Sequence, residues 1–205
     1  MSAHRDRPLD PADLDPDPLV LFARWFGEAR AAGAFEPEAM GLATATPAGA
    51  PSLRMVLNKG VDERGLVFFS NYASRKGAEL DANRQAALLF HWPELGRQVR
   101  IEGAVSRVSR EETEAYARSR SRASQLSALA SPQSRPVTSR RWLEREVEAL
   151  DGQFGDAEVP VKEEWGGYRL APQAWEFWQH RRDRLHDRFG YRPEGGGWIV
   201  ERLGP

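Results

Sequence analysis

The sequence predicts a mainly β protein with flanking helices, of the α+β class, whose antiparallel strands form a barrel. Short segments of β-type residues separated by turns recur along the chain from Met40 onward. Helical periodicity is confined to stretches before, between and after these segments, and the two patterns do not alternate in a repeating βαβ order. About seven short strands with inserted or flanking helices favour an antiparallel barrel over a parallel sheet.

The N-terminal half of the chain begins with a helix and continues as an antiparallel meander. Asp17 followed by Pro18 is typical of an N-cap and a first helical position, and apolar residues then recur at helical spacing to about Ala32. Proline- and glycine-containing turns separate the segments that follow. Strands are predicted over residues 40–46, 52–59, 66–70, 86–92 and 98–106, and a short helix over residues 74–83.

The C-terminal half is helical first and then returns to strands. Helices are predicted over residues 110–118, 124–130 and 140–154, and the first has a glutamate-rich first turn that suits the helix dipole. A strand over residues 168–171 leads into the stretch 175–178. Two further strands, over residues 187–192 and 197–202, pair across a glycine-rich turn.

Length and composition predict one domain and exclude several classes of function. The 205 residues are 40% hydrophobic, enough for one core, so residues 18–205 are expected to form a single domain behind a flexible, exposed tail over residues 1–17. The net charge of −1 argues against a nucleic-acid partner. There are no cysteines, no apolar run long enough for a membrane span and no signal-peptide pattern, so a soluble cytoplasmic protein is expected.

The most informative segment is the run Arg184-Leu-His-Asp-Arg188, closely preceded by Glu176-Phe-Trp-Gln179. Arginine can stack on a planar ring or bind a phosphate, and tryptophan covers apolar ring surface, so this segment suits a flat anionic ligand. Further cations occur in Arg54-Met-Val-Leu-Asn-Lys59 and in Ser74-Arg-Lys76. Taken singly, these cations could also be ordinary solvent-facing residues, and His186 an ordinary surface or core histidine. The four histidines show no metal-ligand spacing, so no metal is expected.

Several separated motifs follow one another along nearly the whole chain. They are Arg54-Met-Val-Leu-Asn-Lys59, Ser74-Arg-Lys76, Arg97-Gln-Val99, Ser119-Arg120 with Ser124-Gln125, Gln133-Ser134, Trp165-Gly-Gly167, Glu176-Phe-Trp-Gln179 and Arg184-Leu-His-Asp-Arg188. In this order they resemble the pyridoxine (pyridoxamine) 5′-phosphate oxidase family. The resemblance implies an antiparallel split β-barrel that binds FMN, and a homodimer with its sites at the subunit interface. It also implies an oxidase that makes pyridoxal 5′-phosphate from pyridoxine or pyridoxamine 5′-phosphate, with O2 as acceptor and H2O2 as product.

Site residues are implied by the same resemblance, position by position. FMN binding is implied for Arg54, Met55, Val56, Leu57, Asn58, Lys59, Phe69, Ser70, Arg75, Lys76, Gln98, Gln133, Ser134, Trp178 and Arg188. Substrate binding is implied for Lys59, Tyr116, Arg120, Ser124, Arg184, Leu185 and His186, with the phosphate held by the first four. Arg184 and His186 are the expected catalytic residues, placed against the pyridine ring.

Four departures from the family pattern accompany this resemblance. The segment His180-Arg-Arg-Asp183 replaces a glycine-containing link, Asn58 stands where an apolar residue is common, Ser121 where a proline is frequent, and Leu129 where tryptophan is frequent. None removes an expected ligand, so they are expected to change affinity or rate rather than abolish activity.

Two other functions remain open at the level of sequence. One is a related split-barrel flavin oxidase of the phenazine-pathway type, which would have no use for a substrate-phosphate cluster. The other is a non-catalytic carrier of flavin or pyridoxal phosphate, which would not need Arg184 and His186.

Overall fold

The computed structural model describes residues 6–205, which form five α-helices and one nine-stranded antiparallel sheet. The helices are α1 (Pro18–Ala31), α2 (Arg75–Ala82), α3 (Arg110–Ser119), α4 (Arg122–Ala130) and α5 (Arg140–Phe154). The strands are β1 (Ala39–Ala45), β2 (Pro51–Leu57), β3 (Gly60–Asp62), β4 (Gly65–Asn71), β5 (Gln85–Trp92), β6 (Arg97–Arg107), β7 (Trp165–Gln179), β8 (Asp187–Glu194) and β9 (Gly197–Arg202). Within this described part, no helix is both long and apolar enough to cross a lipid bilayer.

Each α-helix begins where a short polar side chain accepts a hydrogen bond from the first helical turn. Before α1, the Asp17 carboxylate accepts from the Leu19 amide at 2.9 Å, and Pro18 occupies the first helical position. Serine side chains do the same before the other four helices, at Ser74, Ser109, Ser121 and Ser139. These caps satisfy amides that have no partner inside the helix, so they determine where each helix starts.

The main path of the sheet follows the order β2-β1-β5-β6-β7-β4-β3, and β8 and β9 extend from β7. Its two terminal strands, β2 and β3, are separated in the chain only by Asn58 and Lys59. So short a connection holds the two edges of the path close together. The sheet therefore curls into a half-barrel, and the β2–β3 connection lies where it closes.

Strand β7 is the longest strand and joins the two halves of the sheet. Along one edge it pairs with β6; along the other, its first half pairs with β4 and its second half with β8. The β6–β7 register shifts between Glu102 and Gly103. A Cβ atom on Gly103 would lie 2.0 Å from the carbonyl oxygen of Ala171, so this close approach of two backbones requires glycine.

Helix α1 packs its apolar face against the sheet and forms the centre of the core. Phe22 and Trp25 are each 1% exposed. The Phe22 ring lies 5.0 Å from that of Phe90, and Trp25 meets Phe177 edge to face at 5.2 Å. Such aromatic pairs stabilise the core beyond the area that they bury.

The fold class is confirmed, and the elements differ from the prediction in detail. The sheet has nine strands rather than about seven. The predicted strand over residues 52–59 ends at Leu57, and a separate strand, β3, starts at Gly60. The segments 168–171 and 175–178 belong to one continuous strand, β7, which begins at Trp165. The helix predicted from Ser124 begins two residues earlier, because Ser121 caps it.

The described part of the N-terminal segment packs on the sheet, which differs from the exposed tail that the sequence predicts. Residues 1–5 of that predicted tail lie outside the described residues. Leu9 is 4% exposed, and its amide donates to the Asp187 carboxylate at 3.2 Å. A short 3-10 helix, Pro11–Asp13, follows, and the Tyr191 hydroxyl donates to the carbonyl oxygen of Asp15 at 2.9 Å. The segment is acidic and proline-rich, so its composition gave no sign that Leu9 would be buried. That leucine and these two hydrogen bonds hold the segment on the sheet.

Candidate active site

A cavity of about 500 Å³ opens beside the β2–β3 connection. The described residues that line it include four cations and no acidic side chain. The lining residues are Arg54, Met55, Val56, Leu57, Lys59, Phe69, Ser70, Asn71, Lys76, Tyr116, Arg120, Ser127, Ala128, Ser131, Gln133 and Trp165. Cavities of about 300–1,000 Å³ hold ligands of cofactor size. An excess of cations with no compensating carboxylate suits a ligand that carries phosphate.

Lys76 is the buried cation of this cavity. Its side chain is 8% exposed, and its ammonium donates to Ser70 Oγ at 3.0 Å, Ser74 Oγ at 3.3 Å and Gln133 Oε1 at 3.0 Å. Burial lowers the pKa of Lys76 and the nearby Arg54 charge lowers it further, whereas the Glu79 charge acts in the opposite direction. All three acceptors are neutral, and no carboxylate in residues 6–205 forms an ion pair with it. A buried ammonium with only neutral partners is costly, so its environment favours a bound anion.

Arg54 is held in place by Glu79, which also holds Arg75. Arg54 Nη1 donates to Thr44 Oγ1 at 2.5 Å, and its Nη2 lies 3.3 Å from Glu79 Oε2. Arg75 Nε donates to the other oxygen, Glu79 Oε1, at 2.9 Å. Burial alone would raise the pKa of Glu79, but hydrogen bonds from Ser52, Thr44 and the two arginines lower it to about 2. Glu79 is therefore ionised, and it holds Arg54 and Arg75 in position without lining the cavity itself.

Three parallel aromatic rings form one wall of the cavity. The Phe69 ring stacks on Tyr116 at 3.9 Å between centroids and on Trp165 at 5.7 Å. The guanidinium of Arg120 lies 5.1 Å from the centre of the Trp165 ring, a cation–π arrangement. A Cβ atom on Gly167 would lie 2.8 Å from Phe69 Cε1, so glycine at this position makes room for the stack.

The expected substrate-phosphate residues only partly gather at this cavity. Lys59, Tyr116 and Arg120 line it, and burial raises the pKa of the Tyr116 hydroxyl while the Arg120 charge acts in the opposite direction. Ser124 is not among the lining residues; its hydroxyl lies 2.9 Å from that of Ser121 at the start of α4. Three of the four residues therefore face a common space.

The expected residues from β6, β7 and β8 form a second group around Trp178. Gln98 pairs with Trp178 in the β6–β7 ladder, and Arg188 pairs with it from the other side. The imidazole of His186 lies 4.5 Å from the Trp178 ring, and its Nδ1 accepts a hydrogen bond from the Arg181 amide at 3.1 Å. Neutral His186 therefore carries its proton on Nε2. Burial, together with the charges of His180 and Arg184, lowers the pKa of His186.

Arg188 is oriented by the buried carboxylate of Glu176. Arg188 Nε donates to Glu176 Oε1 at 2.7 Å, and its Nη1 donates to the carbonyl oxygen of Gly204 at 2.6 Å. Glu176 is 7% exposed and also pairs with Arg100 at 2.7 Å. Arg184 and Leu185 instead lie on the exposed surface of the loop between β7 and β8, where Leu185 is 70% exposed.

The two groups do not converge within one chain. Trp165 of the cavity and Gln179 beside the second group are the first and last residues of the 15-residue strand β7. At the usual rise per residue, the ends of a strand of that length are at most roughly 45 Å apart, and no residue of the second group lines the cavity. The structure therefore brings together the expected residues from β2, β4, α2 and α3, and it places those from β6, β7 and β8 elsewhere.

Three further expected residues are absent from the cavity lining. Arg75 lies next to it but has a side chain that is 63% exposed and paired with Glu79. Ser134 is exposed and adopts a positive φ of 68°. Asn58 is 8% exposed, its Oδ1 has no hydrogen-bond partner, and it lines a separate apolar cleft beside α1.

Several residues of the site were missed in the sequence. Glu79 follows Arg75 by four positions on one predicted helix, and this spacing is typical of ion pairs. The spacing was the one signal in the sequence that could have identified Glu79 as part of the site. Trp165 belongs to a recognised motif, but its place in the aromatic wall depends on strand pairing between β4 and β7. The remaining lining residues, Asn71, Ser127, Ala128 and Ser131, carry no signal in the sequence.

Comparisons with known proteins agree with this architecture. Residues 27–154 match the family model described as pyridoxamine 5′-phosphate oxidase. Residues 165–205 match the model described as pyridoxine 5′-phosphate oxidase C-terminal dimerisation region. A protein of Rubrobacter xylanophilus named pyridoxine/pyridoxamine 5′-phosphate oxidase is 56% identical over 191 residues, 93% of this chain and 88% of that protein. One of the same name from Gluconobacter oxydans is 53% identical over 193 residues, 94% and 96% of the two chains.

Solved structures share the fold. A crystal structure of PhzG from Burkholderia lata in complex with tetrahydrophenazine-1-carboxylic acid superposes with a TM-score of 0.92 at 33% identity, covering 98% of this chain and 100% of the other. A pyridoxamine 5′-phosphate oxidase-related, FMN-binding protein from Nostoc punctiforme superposes with a TM-score of 0.71 at 18% identity, covering 91% and 96%. The half-barrel described above is accordingly a split barrel.

Proposed function

The chain belongs to the pyridoxamine 5′-phosphate oxidase family, and on that basis we propose that it is an FMN-dependent oxidase of B6 vitamer phosphates. It oxidises pyridoxine 5′-phosphate directly to pyridoxal 5′-phosphate, whereas oxidation of pyridoxamine 5′-phosphate to the same product also consumes water and releases ammonia. In both reactions O2 is reduced to H2O2. The observation that carries the proposal is the cavity with four cationic side chains and no acidic one among its described lining residues. Two phosphate-bearing molecules, cofactor and substrate, need such an excess of positive charge.

The residues of the cavity fit the phosphate end of FMN. Lys76, with its three neutral acceptors, lies next to the start of α2, whose N-terminal amides favour an anion. Arg54 adds a second cation, held in place by Glu79. Stacked aromatic rings and the apolar side chains of Val56 and Leu57 offer cover for a flat ring. FMN, when bound, supplies the two-electron acceptor that no side chain of this chain can supply.

Lys59, Tyr116 and Arg120 are proposed to hold the phosphate of the substrate. They line the same cavity as Lys76, but Lys59 belongs to the β2–β3 connection, Tyr116 to α3, and Arg120 directly follows α3. Arg120 is restrained from behind by the Trp165 ring and can offer a fork of donors to a phosphate. Two separate sets of cations in one cavity are what a phosphorylated cofactor and a phosphorylated substrate require.

A homodimer is proposed because one chain separates the two groups of expected site residues. Strand β2 exposes an apolar strip, with Leu53 74% exposed, Met55 66% and Leu57 38%, and Leu89 of β5 lies beside it at 40%. Exposed apolar patches of this kind mark interaction surfaces. We propose that pairing through this strip places the Trp178 group of one copy beside the cavity of the other. The match of residues 165–205 to a dimerisation region supports a dimer in which this C-terminal segment takes part.

Arg184 and His186 are proposed to orient the pyridine ring. The protein mainly has to hold the reacting carbon of the substrate against the cofactor, so positioning groups matter more than a nucleophile. The guanidinium of Arg184 can stack on the ring. His186, neutral because its pKa is lowered, presents an Nε2 donor to a ring substituent.

A phenazine-pathway oxidase is the second candidate, because the PhzG structure superposes closely on this chain. The cations Lys59 and Arg120 in the cavity favour a phosphorylated substrate over it. A non-catalytic flavin or pyridoxal phosphate carrier would not need Arg184 and His186, which the loop between β7 and β8 carries.

The deciding experiment is an oxidase assay on the FMN-supplemented protein in air, with pyridoxine 5′-phosphate and pyridoxamine 5′-phosphate as substrates. We expect pyridoxal 5′-phosphate and H2O2 in equal amounts, with no turnover of unphosphorylated pyridoxine at matched concentration. Flavin binding without either product would refute the proposal and favour the carrier. Turnover of tetrahydrophenazine-1-carboxylic acid alone would favour the phenazine-pathway alternative.

A further inference from the structure

The loop between β7 and β8, residues 180–186, is conformationally strained. Asp183 and Arg184 both adopt left-handed backbone angles, with φ values of 57° and 63°. Neither is glycine, and two consecutive residues in this region are held there only when their surroundings impose it. At one end, the amide of His180 donates to the carbonyl oxygen of Gly96 at 2.7 Å. This hydrogen bond lies three residues before Asp183, so a further contact is needed to hold Asp183 and Arg184 in their left-handed conformations.

That restraint comes from Asp6 in the N-terminal segment. Asp6 Oδ1 accepts a hydrogen bond from the Arg182 amide at 3.1 Å, and Asp6 Oδ2 pairs with Arg182 Nε at 2.8 Å. The same carboxylate lies 3.6 Å from Arg181 Nε. One side chain, from the far end of the sequence, thus contacts two adjacent residues of the loop, through both backbone and side chain.

Asp6 is itself held at a defined place on the sheet. Three residues later, buried Leu9 donates its amide to Asp187 and accepts a hydrogen bond from Arg202 at its carbonyl oxygen, at 3.2 and 3.3 Å. Asp187 also pairs with Arg181 at 3.4 Å and with Arg202 at 2.6 Å. The carboxylate of Asp6 therefore approaches the loop from a fixed base on β8 and β9.

The restraint reaches His186 through one hydrogen bond. The amide of Arg181, which is one of the two adjacent residues that Asp6 contacts, donates to His186 Nδ1 at 3.1 Å. This bond sets both the orientation of the imidazole and the nitrogen that carries its proton. A shift of Arg181 would therefore turn His186. Arg184 lies in the same loop, between these two residues.

We propose that Asp6 is a positioning residue, which fixes the loop of residues 180–186 so that Arg184 and His186 are presented to the substrate. The inference rests on the proposed function for its catalytic consequence, but the restraint on the loop stands without it. It also gives a role to the departure from the family pattern at Arg181 and Arg182, whose side chains contact the Asp6 carboxylate.

The test compares Asp6→Asn with Asp10→Asn in the full-length, FMN-loaded protein. Asp10 lies in the same segment with a side chain that is 66% exposed and 3.9 Å from Arg202, and it makes no contact with the loop. We expect Asp6→Asn to lower kcat by about 5- to 30-fold, with little change in KM or in FMN affinity, because orientation is lost while phosphate binding is kept. Asp10→Asn should match the wild type, and Asp6→Glu should recover part of the rate.

A double substitution and an activity-independent measurement complete the design. If Asp6 acts through its ion pair with Arg182, the double variant Asp6→Asn with Arg182→Gln should have the same kcat as Asp6→Asn alone. Hydrogen exchange of residues 180–186 should become faster in Asp6→Asn and not in Asp10→Asn, even with a protein that oxidises neither substrate. Unchanged exchange in the loop would overturn the restraint. Faster exchange with an unchanged kcat in an active enzyme would overturn the positioning role.

Discussion

At the scale of single residues, the site depends on charges whose partners lie far away in the sequence. Lys76 has only neutral acceptors, whereas Arg54 and Arg75 share the carboxylate of Glu79. The two environments have different consequences. The ammonium of Lys76 can bind an anionic ligand. Glu79 keeps Arg54 and Arg75 in position even without a ligand.

Replacing Lys76 should therefore weaken cofactor binding selectively. We expect Lys76→Met to raise the Kd for FMN by about 10- to 100-fold, because a charge-assisted hydrogen bond contributes about 1.5–3 kcal/mol. Quenching of FMN fluorescence measures the Kd. Arg140→Met, which removes one cation from a side chain that is 89% exposed, is the matched control and should bind FMN normally. Equal affinities for the two variants would show that Lys76 does not contact the phosphate.

Glu79 should make a pH-dependent contribution to stability. Its pKa is about 2 in the folded protein, below its ordinary value of 4.5, so its stabilising contribution is complete above pH 4.5 and is lost as the pH falls towards 2. We expect Glu79→Gln to lower the free energy of unfolding at pH 7 by about 1–3 kcal/mol. The difference from the wild type should shrink below pH 4.5.

Thermal unfolding of both proteins across this pH range tests the Glu79 prediction. Glu144→Gln is the control, because Glu144 forms an exposed pair with Arg140 four residues away. Such pairs contribute about 0.5 kcal/mol or less, so its curve should follow that of the wild type. A constant gap between Glu79→Gln and the wild type down to pH 2 would contradict the assigned pKa.

At the scale of elements, strand β7 organises the site. Its first residues contribute the Trp165 ring to the cavity, and its last residues carry Trp178. Its continuity was not predicted because Pro172 interrupts the strand pattern, and proline cannot donate to a ladder. The register shift between Glu102 and Gly103 leaves Gln173 of β7 without a partner in the β6–β7 ladder, so a bulge follows directly on Pro172. Pairing with β4, β6 and β8 therefore overrides the local signal.

The glycine pair after Trp165 lets the wall of the cavity form, which can be tested at Gly167. A methyl group there would lie 2.6 Å from Val108 Cγ2 and 2.8 Å from Phe69 Cε1. We expect Gly167→Ala to displace the Phe69 ring, to destabilise the protein by about 1–3 kcal/mol and to weaken FMN binding. Thermal unfolding and FMN titration measure the two effects.

Gly152→Ala is the matched control for this substitution. Gly152 lies within α5, and a Cβ atom there would have no neighbour within 4 Å. It should leave FMN binding unchanged and stabilise the helix by up to about 1 kcal/mol. If both variants bind FMN equally well, the aromatic stack is not part of the cofactor site.

At the scale of the whole molecule, a single chain carries two incomplete groups of site residues and an exposed apolar strip. We expect Leu53→Glu to keep the fold but shift the protein from dimer to monomer, because a carboxylate would be buried in an apolar contact. Leu53 is 74% exposed and does not line the cavity, so loss of oxidase activity in this variant would come from loss of the partner.

Sedimentation analysis and circular dichroism check the two parts of the Leu53 prediction. Phe35→Glu, at a side chain that is 85% exposed outside the strip, is the control and should remain a dimer. A monomeric variant with full activity would show that one chain completes its own site. A dimeric and active Leu53→Glu would show that the strip is not the interface.

The local features of this protein were determined by its sequence alone. The starts of α1 and α2, the alternation within β6 and the cationic motifs follow from signals within a few residues. The fold class follows from the order of such signals along the chain. Such signals act through caps and side-chain periodicity, which need no distant partner.

The tertiary structure alone decided which of these features meet. It placed Glu79 behind Arg54, Trp165 beside Arg120, and Asp6 on the loop that carries Arg184 and His186. It also separated that loop from the cavity that Lys76 lines, which is consistent with the interface sites that the resemblance implies. The physical reason is that these contacts join segments from 25 to 176 positions apart, and their pairing depends on strand register and packing rather than on local composition.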